Sequence, residues 1–103
     1  MSMKTFEELE QLVSEWANDK GIYDKGTPLG QADKTLEEAQ EIRDGIVDND
    51  PHEIMDGIGD TLVTLIIQAR MQNVNIVKCL ELAYEVISNR TGKMVNGQFV
   101  KDK

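Results

Sequence analysis

Apolar side chains recur at helical spacing in four stretches of the chain, and the period changes only near the C-terminus. In the first stretch the apolar positions follow the i, i+3, i+4 pattern of an amphipathic helix. They are Phe6, Leu9, Leu12, Val13 and Trp16. Thr5 and Glu8 have the spacing of a capping box. The pattern therefore predicts a first helix that begins at Thr5 and runs to about Asp19.

The next segment, residues 20–30 (KGIYDKGTPLG), contains three glycines and a proline and is predicted to be a loop. Helical periodicity resumes at Gln31 or Ala32 and continues to about Val47. The polar run DND then ends this second helix.

Asp50 and Pro51 have the residue types of an N-cap and a first helical turn, and Glu53 would complete a second capping box. A third helix is predicted from here to about Gln72. From Leu62 onward it reads LVTLIIQA, which is apolar on nearly every side. A helix that is apolar all round is buried all round. This helix is therefore expected to lie centrally, at a subunit interface, or both.

The last helix is predicted to be capped by Asn75 and to end near Asn89. In the tail KMVNGQFVK the pair Asn96-Gly97 supplies the two positive φ angles of a type I′ turn. A short C-terminal β-hairpin follows. The predicted fold is thus an all-α, four-helix bundle-like arrangement with a terminal hairpin, in a single domain spanning residues 1–103.

Composition indicates which cellular compartment to expect for this domain. No apolar run reaches the ~18 residues of a membrane span, and the N-terminus is too acidic and polar for a signal peptide. Cys79 is the only cysteine, so an internal disulfide is impossible. Its apolar neighbours predict a buried side chain, and a reducing compartment fits. The protein is expected to be cytoplasmic and not bound to a membrane.

The formal charge of −8, from 19 acidic and 11 basic side chains, disfavours duplex nucleic acid as a partner. A phosphorylated small molecule remains possible if metal cations stand between carboxylates and phosphates. His52 is the only histidine, which excludes a site that needs several imidazoles.

The second predicted helix separates into two faces at about 100° per residue. The side expected to face the core carries Leu36, Ala39, Ile42 and Ile46. The opposite side carries Lys34, Glu37, Glu38 and Glu41. Taken alone, such a charged side is most often a solvated surface.

The third predicted helix favours a metal site over a solvated charged surface. Glu53, Asp56 and Asp60 share one stripe, and Asp60 lies where the core-facing side begins. A buried carboxylate requires a cation, and this helix has no lysine or arginine before Arg70. The alternative is a salt bridge to a distant lysine or a hydrogen bond to a helix terminus. Clustered carboxylates without histidine or cysteine favour Mg²⁺ or Mn²⁺ over zinc.

These residues resemble a known family. Gln31-x-x-Lys34-x-x-Glu37-Glu38-x-x-Glu41, followed by Ile58-Gly59-Asp60, is similar to the motif of the MazG-like all-α nucleoside triphosphate pyrophosphohydrolases. Their hallmark is Glu-x-x-Glu on one helix and Glu-x-x-Asp on the next. Glu38 and Glu41 match the first pair, and Asp60 matches the last position. The resemblance runs from about Trp16 to the C-terminus, whose sequence looks like that of short, single-domain members carried by phages.

The chain departs from the family pattern at Gly57, where a glutamate is expected. Asp56 stands beside it on the stripe of Asp60, so we expect Asp56 to act as the ligand, with Glu53 as a possible helper. Glycine inside a helix costs about 0.5–1 kcal/mol relative to alanine, which indicates that space is needed at this position.

The resemblance implies Mg²⁺-dependent hydrolysis of a nucleoside triphosphate (NTP or dNTP) to the monophosphate and pyrophosphate by a homo-oligomer, a dimer or a tetramer. It implies metal binding by Glu38, Glu41 and Asp60, to which we add Asp56 in place of the missing glutamate. Glu37 would orient or deprotonate the attacking water. Phosphate or substrate contacts would come from Gln31, Lys34, Arg90 and Lys93. Trp16 and Tyr84 could stack on a base, although each also fits a core stripe. The alternatives are an inactive relative that senses nucleotide or metal, and a helical interaction module.

Overall fold

The computed structural model describes residues 2–103 and is helical up to a short antiparallel hairpin at the C-terminus. In that part of the chain, the elements are α1 (Phe6–Asp19), α2 (Ile22–Lys25), α3 (Pro28–Val47), α4 (Pro51–Met71), α5 (Ile76–Ile87), β1 (Gly92–Val95) and β2 (Gln98–Lys101). The predicted all-α fold with a terminal hairpin is confirmed. None of the described helices is long and apolar enough to cross a membrane.

The helix starts follow the capping chemistry of the sequence. The Thr5 hydroxyl accepts from the Glu8 backbone N–H at 3.1 Å, and Glu8 Oε1 accepts from the Thr5 N–H at 3.1 Å. Asp50 Oδ1 accepts from two backbone N–H groups of α4, and Asn75 caps α5 in the same way. Asp50 caps without the return bond from Glu53, so the second predicted capping box is only a single cap.

The predicted loop over residues 20–30 is partly wrong. It contains α2, and α3 begins at Pro28 rather than at Gln31 or Ala32. Thr27 is the N-cap, with its hydroxyl accepting from the Gly30 N–H at 3.0 Å, and Pro28 occupies the first turn. Proline is favoured at this position because its missing N–H would have no helical partner there. The Thr-Pro pair is therefore a helix-start signal, although the glycines of the same segment indicate a loop.

The hairpin turn has the predicted geometry. Asn96 and Gly97 both have positive φ, 50° and 81°, as a type I′ turn requires. Val95 pairs with Gln98 across the turn. Local turn chemistry is sufficient to define this element.

The antiparallel pair α3 and α4 approaches closely at two glycines. A Cβ on Gly45 would lie 3.0 Å from Ile54 Cγ1, and one on Gly57 would lie 2.8 Å from Ile42 Cγ1 and 3.1 Å from the Ile42 nitrogen. The space that the sequence indicated at Gly57 is thus taken by the facing helix.

The face that α3 turns toward α4 differs from the predicted one. Glu38 and Gly45 are buried, whereas Leu36 is 70% exposed and Ile46 is 58% exposed. Close approach at the glycines favours a contact face of small and polar side chains. Of the predicted apolar side, Ile42 is half-buried and lies against Gly57, whereas Leu36, Ala39 and Ile46 are exposed.

The buried apolar core is small and consists of Ala17, Ile66, Ile67 and Ala69. The radius of gyration is 16.0 Å, against about 13 Å for a compact domain of this length. Helix α5 buries none of its residues, and Cys79 is exposed, contrary to the prediction of a buried thiol. Large apolar side chains on several helices thus remain in contact with solvent in the single chain.

Candidate metal centre

Three carboxylates meet near the middle of the α3–α4 pair. Glu38 and Glu41 are one turn apart on α3, and the antiparallel course of α4 brings Asp60 opposite them. One oxygen from each lies within 4.8 Å of the other two. The structure therefore brings together three of the four predicted metal ligands.

Glu38 is the buried member of this group, whereas Asp60 is exposed, contrary to the prediction that it is the buried carboxylate. The Glu38 side chain is only 10% exposed, and Oε1 lies 3.4 Å from Lys34 Nζ. Oε2 is buried and has no hydrogen-bond partner among the described residues. Leaving a buried carboxylate oxygen without a partner is costly, because water is lost and nothing replaces it. An additional cation at Oε2 would remove that cost.

The pKa of Glu41 reflects the crowding of negative charge in this group. This pKa is raised above the ordinary value chiefly because the Glu38 carboxylate lies close enough to favour a shared proton. The charge of Glu38, partial burial, and the charges of Glu37 and Asp60 act in the same direction. A divalent cation would relieve this repulsion without a proton.

This crowding predicts a pH dependence in the metal-free protein. The pKa of Glu41 is higher in the folded chain than its ordinary value of 4.5, so the folded chain binds more protons between the two values. Protonation of Glu41 therefore stabilises the folded chain at low pH, and this stabilisation is lost as the pH rises through the folded pKa. Relative to Glu41→Gln, the wild type should gain melting temperature in chelator as the pH falls from neutrality toward the ordinary pKa of 4.5. A constant difference between the two proteins over this range would contradict the crowding.

The donor set fits a hard divalent cation. All three groups offer carboxylate oxygens, and neither histidine nor cysteine joins the group within the described chain. Oxygen-only donors suit Mg²⁺ or Mn²⁺. The buried oxygen of Glu38 provides an observation beyond the mere presence of exposed acids.

Asp56 and Glu53 do not belong to this group of three. Asp56 is exposed on α4, and its role as a ligand stays a prediction. The pKa of Glu53 is raised, first by burial and then by the charges of three aspartates around the α3–α4 turn. Glu53 therefore belongs to a separate acidic neighbourhood.

Lys34 lies between two of the acids. Its Nζ is 3.5 Å from Glu37 Oε1 and 3.4 Å from Glu38 Oε1, and its pKa is raised, chiefly by the hydrogen bond to Glu38. Glu37 is 62% exposed and lies outside the three-carboxylate group, so it is free to face solvent. The i, i+4 spacing of Lys34 and Glu38 was the sequence signal for this pairing.

Gln31 holds the two helices together. Its Nε2 donates to the Thr64 carbonyl at 3.2 Å, and the Thr35 hydroxyl donates to the Thr64 hydroxyl at 2.8 Å. Sequence inspection did not single out the two threonines. Their pairing depends on the register of α3 against α4, which helical periodicity does not define.

The remaining predicted substrate residues lie elsewhere. Arg90 and Lys93 follow α5, are exposed, and form no ion pair within residues 2–103. Trp16 and Tyr84 are also exposed rather than part of the core of this chain. Their roles in substrate binding remain predictions.

Comparison with known proteins places this site within a described domain. The model of the MazG nucleotide pyrophosphohydrolase domain matches residues 27–95, which include all the candidate site residues. An uncharacterized 18.2 kDa protein from the rep-hol intergenic region of Haemophilus phage HP1 is 32% identical over 75 residues. That alignment covers 73% of this chain and 46% of the phage protein, so the chain spans about half the length of this relative. No solved structure matches the chain significantly.

Proposed function

The chain belongs to the MazG nucleotide pyrophosphohydrolase family, and we propose on this premise that it hydrolyses a nucleoside triphosphate to the monophosphate and pyrophosphate, with Mg²⁺ as cofactor. The observation that carries the proposal is the buried, unpartnered Oε2 of Glu38 among three converging carboxylates. Nucleoside triphosphates are cytoplasmic metabolites, so we assign the reaction to that compartment.

Glu38, Glu41 and Asp60 would hold the metal, with Asp56 as a proposed fourth ligand. Bound Mg²⁺ would neutralise phosphate oxygens and stabilise the charge that develops on the leaving pyrophosphate. This need is acute here, because the triphosphate approaches a chain with a formal charge of −8.

Glu37 is the proposed general base. The oxygen of a water molecule attacks the α-phosphorus, Glu37 accepts the water proton, and the bond from the α-phosphorus to the bridging oxygen breaks. Glu37 suits this role because it is exposed and stands one residue before the buried ligand Glu38. Removing a general base of this kind typically costs about 10²–10⁴-fold in rate.

The basic residues have a complementary role in the proposal. Lys34 would contact a phosphate from the solvent side of the site, and Arg90 and Lys93 would reach the substrate only if α5 or a neighbouring subunit brings them near. Gln31 already bonds to Thr64, so its contribution would be to hold the helices that carry the ligands.

The assay that tests the function is a panel of canonical and modified NTPs and dNTPs with Mg²⁺, scored for monophosphate and pyrophosphate. Release of both products in equal amounts supports the proposal. Gly57, which stands where the family has glutamate, keeps a catalytically inactive nucleotide or metal sensor as the second candidate. Metal or nucleotide binding without turnover across the panel would favour that sensor.

Metal dependence of stability provides a separate prediction. Removing Mg²⁺ with a chelator should lower the melting temperature because the carboxylates then repel one another, and adding Mg²⁺ should restore it. Identical melting curves in both conditions would count against a metal site.

We also propose that the protein is a homo-oligomer. Helix α1 exposes one apolar stripe, which consists of Phe6, Leu9, Leu12 and Trp16. Helices α3 and α4 expose others, including Leu36 and Leu62. Contiguous apolar surface of this kind usually marks an interface. Light scattering should therefore report a dimer or larger, and a monomer at micromolar concentration would refute the proposal.

A further inference from the structure

Lys34 is the single basic partner of a strongly acidic site. Its Nζ contacts Glu37 and Glu38 at 3.5 and 3.4 Å. In residues 2–103, no other lysine or arginine forms an ion pair with Glu37, Glu38, Glu41 or Asp60. One ammonium thus contacts two of these four carboxylates, and its charge compensates the group only in part.

The two oxygens of Glu38 have different surroundings. Oε1 faces the Lys34 ammonium, whereas Oε2 is buried and has no hydrogen-bond partner in residues 2–103. Mg²⁺ binds carboxylate oxygens at about 2.0–2.1 Å. A metal ion that binds Oε2 and also reaches Oε1 would therefore lie within roughly 5.5 Å of the present Nζ position. Two cations at that separation, with few water molecules between them, repel each other.

The lysine is able to move away. Its side chain is 51% exposed, and four methylenes connect the ammonium to the backbone of α3. Glu38 cannot follow, since its side chain is nearly buried between α3 and α4. The ion pair can therefore open only by movement of Lys34 toward solvent.

We propose that Lys34 is a built-in counterion of the metal-free site, which a divalent cation displaces when it binds Glu38. This inference rests on the metal site of the proposed function. Lys34 stabilises the empty site by compensating Glu38, and for the same reason it opposes metal binding. Displacement frees Oε1 as a second ligand atom and moves the ammonium to the side from which a phosphate would arrive.

The chain contains a matched pair for comparison. Lys78 and Glu81 on α5 form an ion pair at 2.8 Å with i, i+3 spacing, and both side chains are more than half exposed. Water can replace that lysine at little cost, as for most surface pairs. Water cannot do the same at Glu38, so only Lys34 should be coupled to the metal.

The test compares Lys34→Met, Lys34→Arg and the control Lys78→Met with the wild type. Mn²⁺ affinity is measured by calorimetry, and the melting temperature is recorded with Mn²⁺ and with chelator. Lys34→Met removes the charge but keeps most of the stem. It should bind Mn²⁺ about tenfold more tightly, the effect expected from losing one charge at this distance. Its melting temperature in chelator should fall, so the increase on adding Mn²⁺ should exceed that of the wild type.

Lys34→Arg should shift the affinity in the opposite direction. The guanidinium matches a carboxylate with two parallel hydrogen bonds and is harder to displace, so Mn²⁺ should bind more weakly than in the wild type. Lys78→Met should leave unchanged both the Mn²⁺ affinity and the increase in melting temperature on adding Mn²⁺.

The possible results separate the inference from the function on which it rests. A wild type that binds no Mn²⁺ refutes the metal site itself. A wild type that binds Mn²⁺, with affinity unchanged or weaker in Lys34→Met, refutes the counterion role and leaves the site intact. If Lys34→Met does not fold even with Mn²⁺, the Lys34→Arg affinity decides, and binding as tight as the wild type would overturn the inference.

Discussion

Glu41→Gln should abolish turnover and weaken Mg²⁺ binding together. Glu41 belongs to the group of three converging carboxylates, and the substitution removes one of its charges while keeping the size of the side chain. The affinity of a hard cation depends on the number of charged oxygens around it. The proposed metal would supply several kcal/mol of charge stabilisation, so kcat should fall by at least about a thousandfold. Calorimetric titration with Mg²⁺ and a pyrophosphate-release assay measure the two effects.

Glu37→Gln should separate these effects. Glu37 is exposed and lies outside the three-carboxylate group, so its substitution should reduce kcat by about 10²–10⁴-fold and leave Mg²⁺ affinity nearly unchanged. Glu85→Gln, an exposed glutamate on α5, serves as the control and should change neither quantity. If Glu37→Gln and Glu41→Gln lower metal affinity equally, the division between base and ligand is wrong.

The melting temperature provides an independent test of Glu41 as a metal ligand. In chelator at neutral pH, Glu41→Gln should melt higher than the wild type, because it removes one of the mutually repelling charges. In Mg²⁺ the order should reverse, since the wild type gains a better metal site. A ligand carboxylate predicts this crossing of the melting temperatures, and a merely structural residue does not.

Elements defined by local chemistry could be predicted from the sequence. The caps at Thr5, Asp50 and Asn75 and the Asn96-Gly97 turn depend on contacts within about four residues, and all are confirmed. Local signals failed where two compete, as at residues 20–30. There the glycines indicated a loop, although Thr27 and Pro28 begin a helix.

The orientation of α3 could not be predicted because it depends on the partner helix. The wheel places Leu36 and Ile46 on an apolar side, which in isolation would face a core. Contact with α4 is instead made where Gly45 and Gly57 let the backbones approach, and this turns Glu38 inward. Helical periodicity describes one helix at a time and has no information about such approach.

The candidate site shows the same division. Motif spacing identified Glu38, Glu41 and Asp60, and the structure brings them together. Motif spacing did not reveal that Glu38 is the buried member, since its burial depends on the orientation of α3. The pairing of Lys34 with Glu38 follows instead from their i, i+4 spacing on one helix. Asp56 was chosen because it shares the stripe of Asp60, but a shared stripe does not ensure that the side chains meet.

The last prediction compares substitutions of Gly57 and Gly59, two glycines on α4. A Cβ at Gly57 would meet the Ile42 side chain at 2.8 Å and the Ile42 backbone nitrogen at 3.1 Å, whereas a Cβ at Gly59 meets nothing within 4 Å. Alanine improves helix propensity equally at both positions, by about 0.5–1 kcal/mol. Gly59→Ala should therefore raise the free energy of unfolding by about that amount.

Gly57→Ala should instead lower the free energy of unfolding by up to about 2.5 kcal/mol, since an overpacking cost of about 1–3 kcal/mol opposes the gain in propensity. Gly57→Glu, which introduces the residue of the family pattern, should cost more than about 3 kcal/mol because it adds a larger side chain and a partly buried charge. Denaturant titration at fixed protein concentration measures these differences. Equal stability of Gly57→Ala and Gly59→Ala would show that α3 and α4 do not approach this closely.

Gly57→Glu also tests why the chain departs from its family here. A glutamate at this position must push α3 away from α4 at Ile42, one residue beyond the proposed ligand Glu41. The carboxylates on the two helices would then separate, so we expect weaker Mg²⁺ binding despite the added negative charge. Tighter Mg²⁺ binding by Gly57→Glu, measured by calorimetry, would contradict this account. It would mean that the helices can accommodate the family's fourth ligand, and that Gly57 reflects the loss of a ligand rather than a requirement of packing.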